Sequence, residues 1–180
     1  MVLLMNVNLG CGGDYREGWI NVDGSNKVKA DRYFDIRYLH KYIEKESVDY
    51  FLLQDILEHF YHWEAHRILC DVYSCLKVGG KVEIRVPDCG FIMWYPFISI
   101  EEKLLWLYGG QDIPQGSMDD SRRDHPEFFC HRYGWNRRKM KRELRLVGFK
   151  DIRFRWAKFN FVTYAIKRKH FDAKGQETEV

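Results

Sequence analysis

Met5-Asn-Val-Asn-Leu-Gly-Cys-Gly-Gly-Asp14 is an apolar strand that runs straight into closely spaced glycines. This is how an α/β domain brings its main chain against a bound nucleotide. Gly10 and Gly12 lack Cβ atoms, so the turn can adopt conformations closed to other residues and a ligand can touch the backbone. In the spacing Gly-x-Gly-x-x-Gly the third glycine falls at Tyr15, and in Gly-x-Gly-x-Gly it falls at Asp14, so neither full fingerprint is present. A nucleotide loop and a plain strand-ending turn are both open readings of these residues alone.

Working outward, Trp19-Ile-Asn-Val-Asp23 is a second apolar run closed by a carboxylate. Nucleotide folds place there the acid that accepts hydrogen bonds from ribose hydroxyls. Only Gly10 to Gly18 separate the two runs. A parallel crossover takes about a dozen residues or more and a helix, so the usual first helix is expected to shrink to a turn or a loop.

The remaining pattern is that of alternating strands and helices. Residues 2–9 read as a buried first strand, 31–35 as a short third and Val48 to Gln54 as a fourth. Asp35 either ends the third strand near a ligand or caps a helix from Arg37 to Lys45. A helix with Ile68, Leu69, Val72 and Leu76 on one stripe is expected to stop at Lys77-Val-Gly79-Gly80. Lys81 to Pro87 alternates as strand five. Asn136 caps a helix over Arg137 to Val147 that stops at Gly148, and Lys150 to Ala157 and Phe161 to Lys167 form a closing hairpin. Gly109 to Phe128 is the longest irregular stretch, read as a lid over an acceptor or as disorder. Residues 1–170 are expected to form one domain, with 171–180 a flexible C-terminal tail.

Leu9-Gly-Cys-Gly12, Gly18-Trp-Ile-Asn-Val-Asp23, Leu57-Glu-His-Phe60, Leu76-Lys-Val-Gly-Gly80 and Val86-Pro-Asp88 stand in this order. In them the sequence resembles the class I S-adenosylmethionine-dependent methyltransferases, and more narrowly the small bacterial predicted methyltransferases of the type 11-like group. Tyr108-Gly-Gly110, His131-Arg-Tyr-Gly-Trp135 and Val147-Gly-Phe149 extend the likeness into the second half less sharply. The resemblance implies a Rossmann-like α/β fold with a seven-stranded, mostly parallel sheet and an antiparallel C-terminal hairpin strand. It implies S-adenosyl-L-methionine as cofactor and S-adenosyl-L-homocysteine as product. The cofactor-binding positions it implies are Asn8, Gly10, Cys11, Gly12, Asp23, Asp35, Ile36, Gln54 and Asp55. The missing first helix agrees with this, since S-adenosylmethionine has no pyrophosphate for a helix N-terminus to hold.

Glu58 and His59 are then the titratable side chains nearest the methyl group, and either could take a proton from an acceptor hydroxyl. A structural cap and a supporting hydrogen bond are the competing roles. His131 is a second candidate base. Methyl transfer to an oxygen of a small molecule or sugar is the favoured activity, because the chain has neither the Asp/Asn-Pro-Pro-Tyr motif of adenine amino methyltransferases nor a Pro-Cys nucleophile. An RNA methyltransferase, a non-catalytic S-adenosylmethionine-binding protein and a nicotinamide oxidoreductase are the alternatives.

Composition sets the outer bounds. With 46% hydrophobic residues, 180 residues suffice for a real core. The longest apolar run, Phe91 to Ile100, is too short to span a bilayer, so a cytoplasmic protein without membrane contact is expected. The five cysteines form no Cys-x-x-Cys pair, which argues against a zinc ribbon or a disulfide framework. His62 and His66 share a helix face, but no carboxylate or cysteine completes an obvious set beside them, and no metal site is expected. The net charge of +3 hides a segment, 121–170, that carries +12, which could meet phosphate groups or be solvated surface.

Overall fold

The computed structural model describes residues 4–109, 128–171 and 177–178. The expected lid and most of the expected tail lie outside these residues. Strands β1 (Asn6–Leu9), β2 (Ile20–Asp23), β3 (Arg32–Tyr33), β4 (Val48–Gln54), β5 (Leu76–Pro87), β6 (Lys150–Ala157) and β7 (Asn160–Ile166) form one sheet in the order β3-β2-β1-β4-β5-β7-β6. The first five are mutually parallel, and β7 runs antiparallel to both β5 and β6. The order reverses between β1 and β4, so the carboxyl ends of these two strands border the crevice in which such sheets hold ligands. A short ladder, β8 (His170–Phe171) with β9 (Glu177–Thr178), pairs part of the segment expected to be a free tail.

Val7, Leu9, Phe51 and Leu53 are fully buried along the two central strands, as strands covered on both faces require. Helix α1 (His62–Cys75) follows β4 and seats Ala65, Ile68, Leu69 and Val72 against the sheet. These positions recur at helical spacing, so one stripe enters the core. Glu64 accepts the Tyr61 amide at 3.0 Å and secures the helix start. Helices α2 (Cys89–Trp94) and α3 (Ile100–Tyr108) follow β5, and α4 (Arg137–Val147) precedes the closing hairpin with the Asn136 cap and left-handed Gly148 that the sequence implies. Among the described residues no helix is long and apolar enough to cross a membrane.

Several boundaries differ from expectation. Helix α1 ends at Cys75, not at Leu76, because Leu76 turns extended and pairs with Val48 as the first residue of β5. The following residues bulge out of the ladder through Gly79 at φ +87 before Lys81 pairs with Tyr50. The buried Lys167 closes this bulge, donating from Nζ to the Leu76 carbonyl at 2.8 Å. The third strand covers only Arg32–Tyr33, and the helix after Asp35 is a 3₁₀ element, η1 (Ile36–Lys41), with an interior kink at Tyr38. Ladder pairing in the first strand begins at Asn6.

Candidate active site

No helix intervenes between β1 and β2. The loop is held instead by buried amide side chains. Asn8, at the centre of the sheet, donates from Nδ2 to the Asp14 carbonyl at 2.8 Å. Asn21 accepts the Arg16 amide on Oδ1 at 2.9 Å and donates from Nδ2 to the Arg16 carbonyl at 2.9 Å. Asp31 accepts both the main-chain and the side-chain amide of Asn21, and also the Tyr15 hydroxyl. These bonds hold the Asp31 carboxyl below its ordinary range. They do for the loop what the ladder of a helix would otherwise do.

The turn places the expected cofactor residues on one edge. Gly10 and Gly12 both have positive φ, +68 and +49. Their surroundings differ. A Cβ on Gly10 would lie 2.7 Å from the Ile56 side chain, so that glycine is required by packing against the end of β4. A Cβ on Gly12 would meet nothing within 4 Å, so that glycine faces open space. Asp23 accepts the Gly12 amide on Oδ2 and the Ser25 amide on Oδ1, both at 2.8 Å. Each oxygen keeps a lone pair for another donor. Immediately beyond Asp23 a cavity of about 330 Å³ is lined by Gly24 to Lys27, Tyr33, Phe34 and Phe128. The Cys11 thiol is buried and pushed up to about 11, chiefly by burial and then by Asp23, which makes it an inert thiol.

Two expected contacts carry structural work of their own. Asp35 caps η1 by accepting the Arg37 amide at 2.9 Å and pairs with the Arg37 guanidinium, while the Ile36 side chain is in the core. Burial raises the Asp35 carboxyl, but the bonds from Arg37 outweigh it and hold the group below its usual value. Gln54 ends β4, and Asp55 turns the chain with φ +51. The Asp55 carboxylate is tied to the Arg85 guanidinium and to Asn160. This anchor holds a backbone conformation that non-glycine residues rarely adopt.

The three expected catalytic residues come together. Glu58 and His59 lie on a 3₁₀ turn, η2 (Leu57–His59), which Asp55 and Ile56 join to the end of β4. The Glu58 carbonyl accepts the amides of Arg132 at 2.8 Å and Tyr133 at 3.2 Å, and this docks the distant His131-Arg-Tyr-Gly-Trp135 segment against η2. His131 thereby reaches His59, with ring centroids 5.0 Å apart. One carboxylate oxygen of Glu58 and one ring nitrogen of each histidine lie within 4.8 Å of one another. His59 Nδ1 lies 3.2 Å from the Cys130 carbonyl and His131 Nδ1 lies 3.0 Å from the Trp106 carbonyl. A carbonyl only accepts, so in both rings Nδ1 carries the proton and Nε2 the lone pair.

The electrostatics agree with deep enclosure. Glu58 is 2% exposed, and neither carboxylate oxygen has a hydrogen-bond partner. Burial pushes its carboxyl well above the ordinary range. Burial, and then the neighbouring His131, lowers His59 to about 4. His131 is lowered too, chiefly by burial. Titratable groups perturbed by burial and gathered in one place make a candidate functional site.

Sequence reasoning missed Ile56, whose side chain closes over Gly10, and Glu143. His62 and His66 do find a carboxylate. Glu143 on α4, nearly fully buried, lies 3.1 Å from His62 Nε2 and 3.2 Å from His66 Nδ1, so the pair clamps α1 to α4. The signal was available, since Glu143 falls on the stripe of Met140, Leu144 and Val147.

No family model matches the chain, and no curated sequence does. Solved structures do. A S-adenosylmethionine-dependent methyltransferase from Archaeoglobus fulgidus superposes with a TM-score of 0.62 at 15% identity, covering 91% of this chain and 86% of that one. One from Mesorhizobium loti gives 0.62 at 16% identity, covering 92% and 91%. Phosphoethanolamine N-methyltransferase 2 of Haemonchus contortus, solved with S-adenosyl-L-methionine, gives 0.57 at 13% identity over 92% of this chain and 49% of that one. The fold is therefore that of the S-adenosylmethionine-dependent methyltransferases, with the mixed seven-stranded sheet and antiparallel C-terminal pair expected of class I.

Proposed function

We propose that the chain transfers the methyl group of S-adenosyl-L-methionine to a hydroxyl oxygen of a small molecule or sugar. The observation that carries this is the gathering of Glu58, His59 and His131 directly beyond the strand end that packs against the glycine turn. The residues fit the cofactor. Asp23 keeps lone pairs for ribose hydroxyls, Gly12 leaves its side of the turn open, and the cavity beyond Asp23 offers Tyr33 and Phe34 to an adenine ring. When bound, the cofactor supplies a methyl group already activated on a sulfonium. The protein must then align the acceptor, exclude water and assist loss of the acceptor proton. His59 and His131 each present a ring nitrogen lone pair for that task, oriented by a main-chain carbonyl.

The acceptor atom is not indicated by the fold, because the Haemonchus enzyme is by name an N-methyltransferase. Oxygen is favoured because a hydroxyl needs the proton-handling groups that the site gathers. A nucleic-acid acceptor is the second reading. It is supported by a cavity of about 560 Å³ lined by Lys141, Arg145, Phe149, Lys150, Asp151 and Ile152 at the basic end of α4, away from the glycine turn. Steeply salt-dependent RNA binding would favour that reading.

Calorimetric titration with S-adenosylmethionine and S-adenosylhomocysteine, with NAD as control, tests the cofactor assignment. Saturable binding is expected, weakened about tenfold or more by Asp23→Ala, as the loss of hydrogen bonds to a charged acceptor implies. Binding of neither ligand to the folded protein overturns the reading.

A further inference from the structure

We propose that Glu58, His59 and His131 form a binding site for one first-row divalent metal ion, of the zinc or cobalt type, whose open coordination position takes the acceptor hydroxyl. The inference rests on the functional reading above. It assigns the same three residues to the same acceptor oxygen, acting through an ion rather than by direct proton transfer.

The donor atoms are already assembled. They lie within 4.8 Å of one another, and metal bonds of about 2.0–2.2 Å to each require only a small inward movement of the side chains. The two imidazoles are prepared in the way ligating histidines are. Each has Nδ1 committed to a main-chain carbonyl, Cys130 for His59 and Trp106 for His131, which fixes the ring and leaves Nε2 to bind. An independent observation is the Glu58 carboxylate. Both its oxygens are buried and have no hydrogen-bond partner, whereas His62, Trp135, Asn160 and Thr163 each leave a single buried side-chain atom without a hydrogen-bond partner among the described residues. A cation between the carboxylate and the two nitrogens would supply the missing partner.

The chemistry of the set narrows the ion. Two nitrogens and one carboxylate suit zinc, cobalt and iron better than magnesium, calcium or manganese, which favour oxygen donors. One carboxylate and two neutral imidazoles leave a divalent ion with a residual positive charge. The nearby Asp55 does not cancel it, because its carboxylate is paired with Arg85. A hydroxyl on the open position therefore loses its proton to solvent more readily, and the electron pair stays on oxygen for attack on the methyl carbon. Among the described residues no other three His, Cys, Asp or Glu side chains converge in this way.

The test uses the full chain after exhaustive chelation, titrated with Co²⁺ by visible absorption and with Co²⁺, Zn²⁺ and Mg²⁺ by calorimetry. Wild type is expected to bind one ion, with Co²⁺ giving ligand-field bands. Glu58→Gln, which keeps shape and volume, and His131→Ala should each weaken binding by more than the 10- to 100-fold, roughly, that loss of a mere supporting group costs. His66→Ala, on the neighbouring helix face, should leave binding unchanged. Circular dichroism establishes first that each variant is folded, and the Glu58→Gln result decides if His131→Ala is not. Absence of stoichiometric binding by wild type, binding untouched by Glu58→Gln, loss of binding in His66→Ala, or binding of Mg²⁺ alone each overturns the proposal. Titration with S-adenosylmethionine in parallel separates the two readings. Cofactor binding without metal binding sinks the metal site alone, and metal binding without cofactor binding sinks the methyltransferase reading and with it the ion's role toward an acceptor, leaving only the metal site.

Discussion

Two connections leave the carboxyl ends of neighbouring strands, and they are held by opposite means. After β4 the chain enters α1, whose grip on the sheet is spread over Ala65, Ile68, Leu69 and Val72, all fully buried. After β1 it enters a loop with no helix, whose shape depends on the amides of Asn8 and Asn21 and the carboxylate of Asp31. Apolar packing is non-directional, so its loss costs stability in proportion to the space vacated. Hydrogen bonding is directional, so its loss also releases geometry. Damage beside α1 should lower stability and spare the proposed cofactor site, whereas damage to the loop should reach that proposed site directly.

The largest expected effect joins the two regions. Gly10→Ala places a Cβ against Ile56 at a left-handed φ, and the combined conformational and packing costs predict a loss of about 3 kcal/mol in denaturant unfolding. Combining it with Ile56→Ala should recover the packing share but not the conformational share; full additivity in that cycle would show that the two residues do not meet. Leu69→Ala, in the α1 face, should cost a similar amount, about 3 kcal/mol, with cofactor affinity in the folded protein unchanged. Asn21→Ala should cost less, about 2 kcal/mol, yet weaken S-adenosylmethionine binding as the loop loses its tie. If the affinities of these two variants move together, the contrast between the connections is broken.

The smallest effect concerns the α1–α4 clamp. Burial raises the Glu143 carboxyl, but His62, His66 and Arg142 outweigh it and hold the group below its ordinary value of 4.5. A carboxyl depressed in the folded state binds its proton more weakly there than in the unfolded chain. Its contribution is therefore complete above about pH 4.5 and is lost as pH falls below that value. Glu143→Gln should flatten this acid limb of the stability profile and cost about 1 kcal/mol at neutral pH. An unchanged acid limb would show that the clamp contributes nothing.

Much of this was legible in the chain. The glycine turn, the carboxylate at Asp23, the caps at Asn136 and Gly148 and the closing hairpin are local signals, set by dihedral freedom and periodicity within a few residues. Glu58 and His59 could be named from their place after a strand end and His131 from the return of the chain, but that the three meet is seen only in the fold. What was illegible depends on distant pairings. Leu76 leaves α1 because Val48 offers it a ladder position. Gly10 is closed off by a residue from another strand end. The usefulness of His62 and His66 is decided by Glu143, which arrives from α4 and turns an apparent metal pair into an interhelical contact.

The bonds from the Arg132 and Tyr133 amides to the Glu58 carbonyl join segments more than seventy residues apart in the chain. Nothing local can form the His59–His131 pair before the sheet has closed, so the chemistry of the site comes into existence only with the tertiary structure. The same two amides are built-in reporters. Their hydrogen exchange should slow to the rate set by opening of this junction, which makes the integrity of the candidate site measurable without substrate, cofactor or metal.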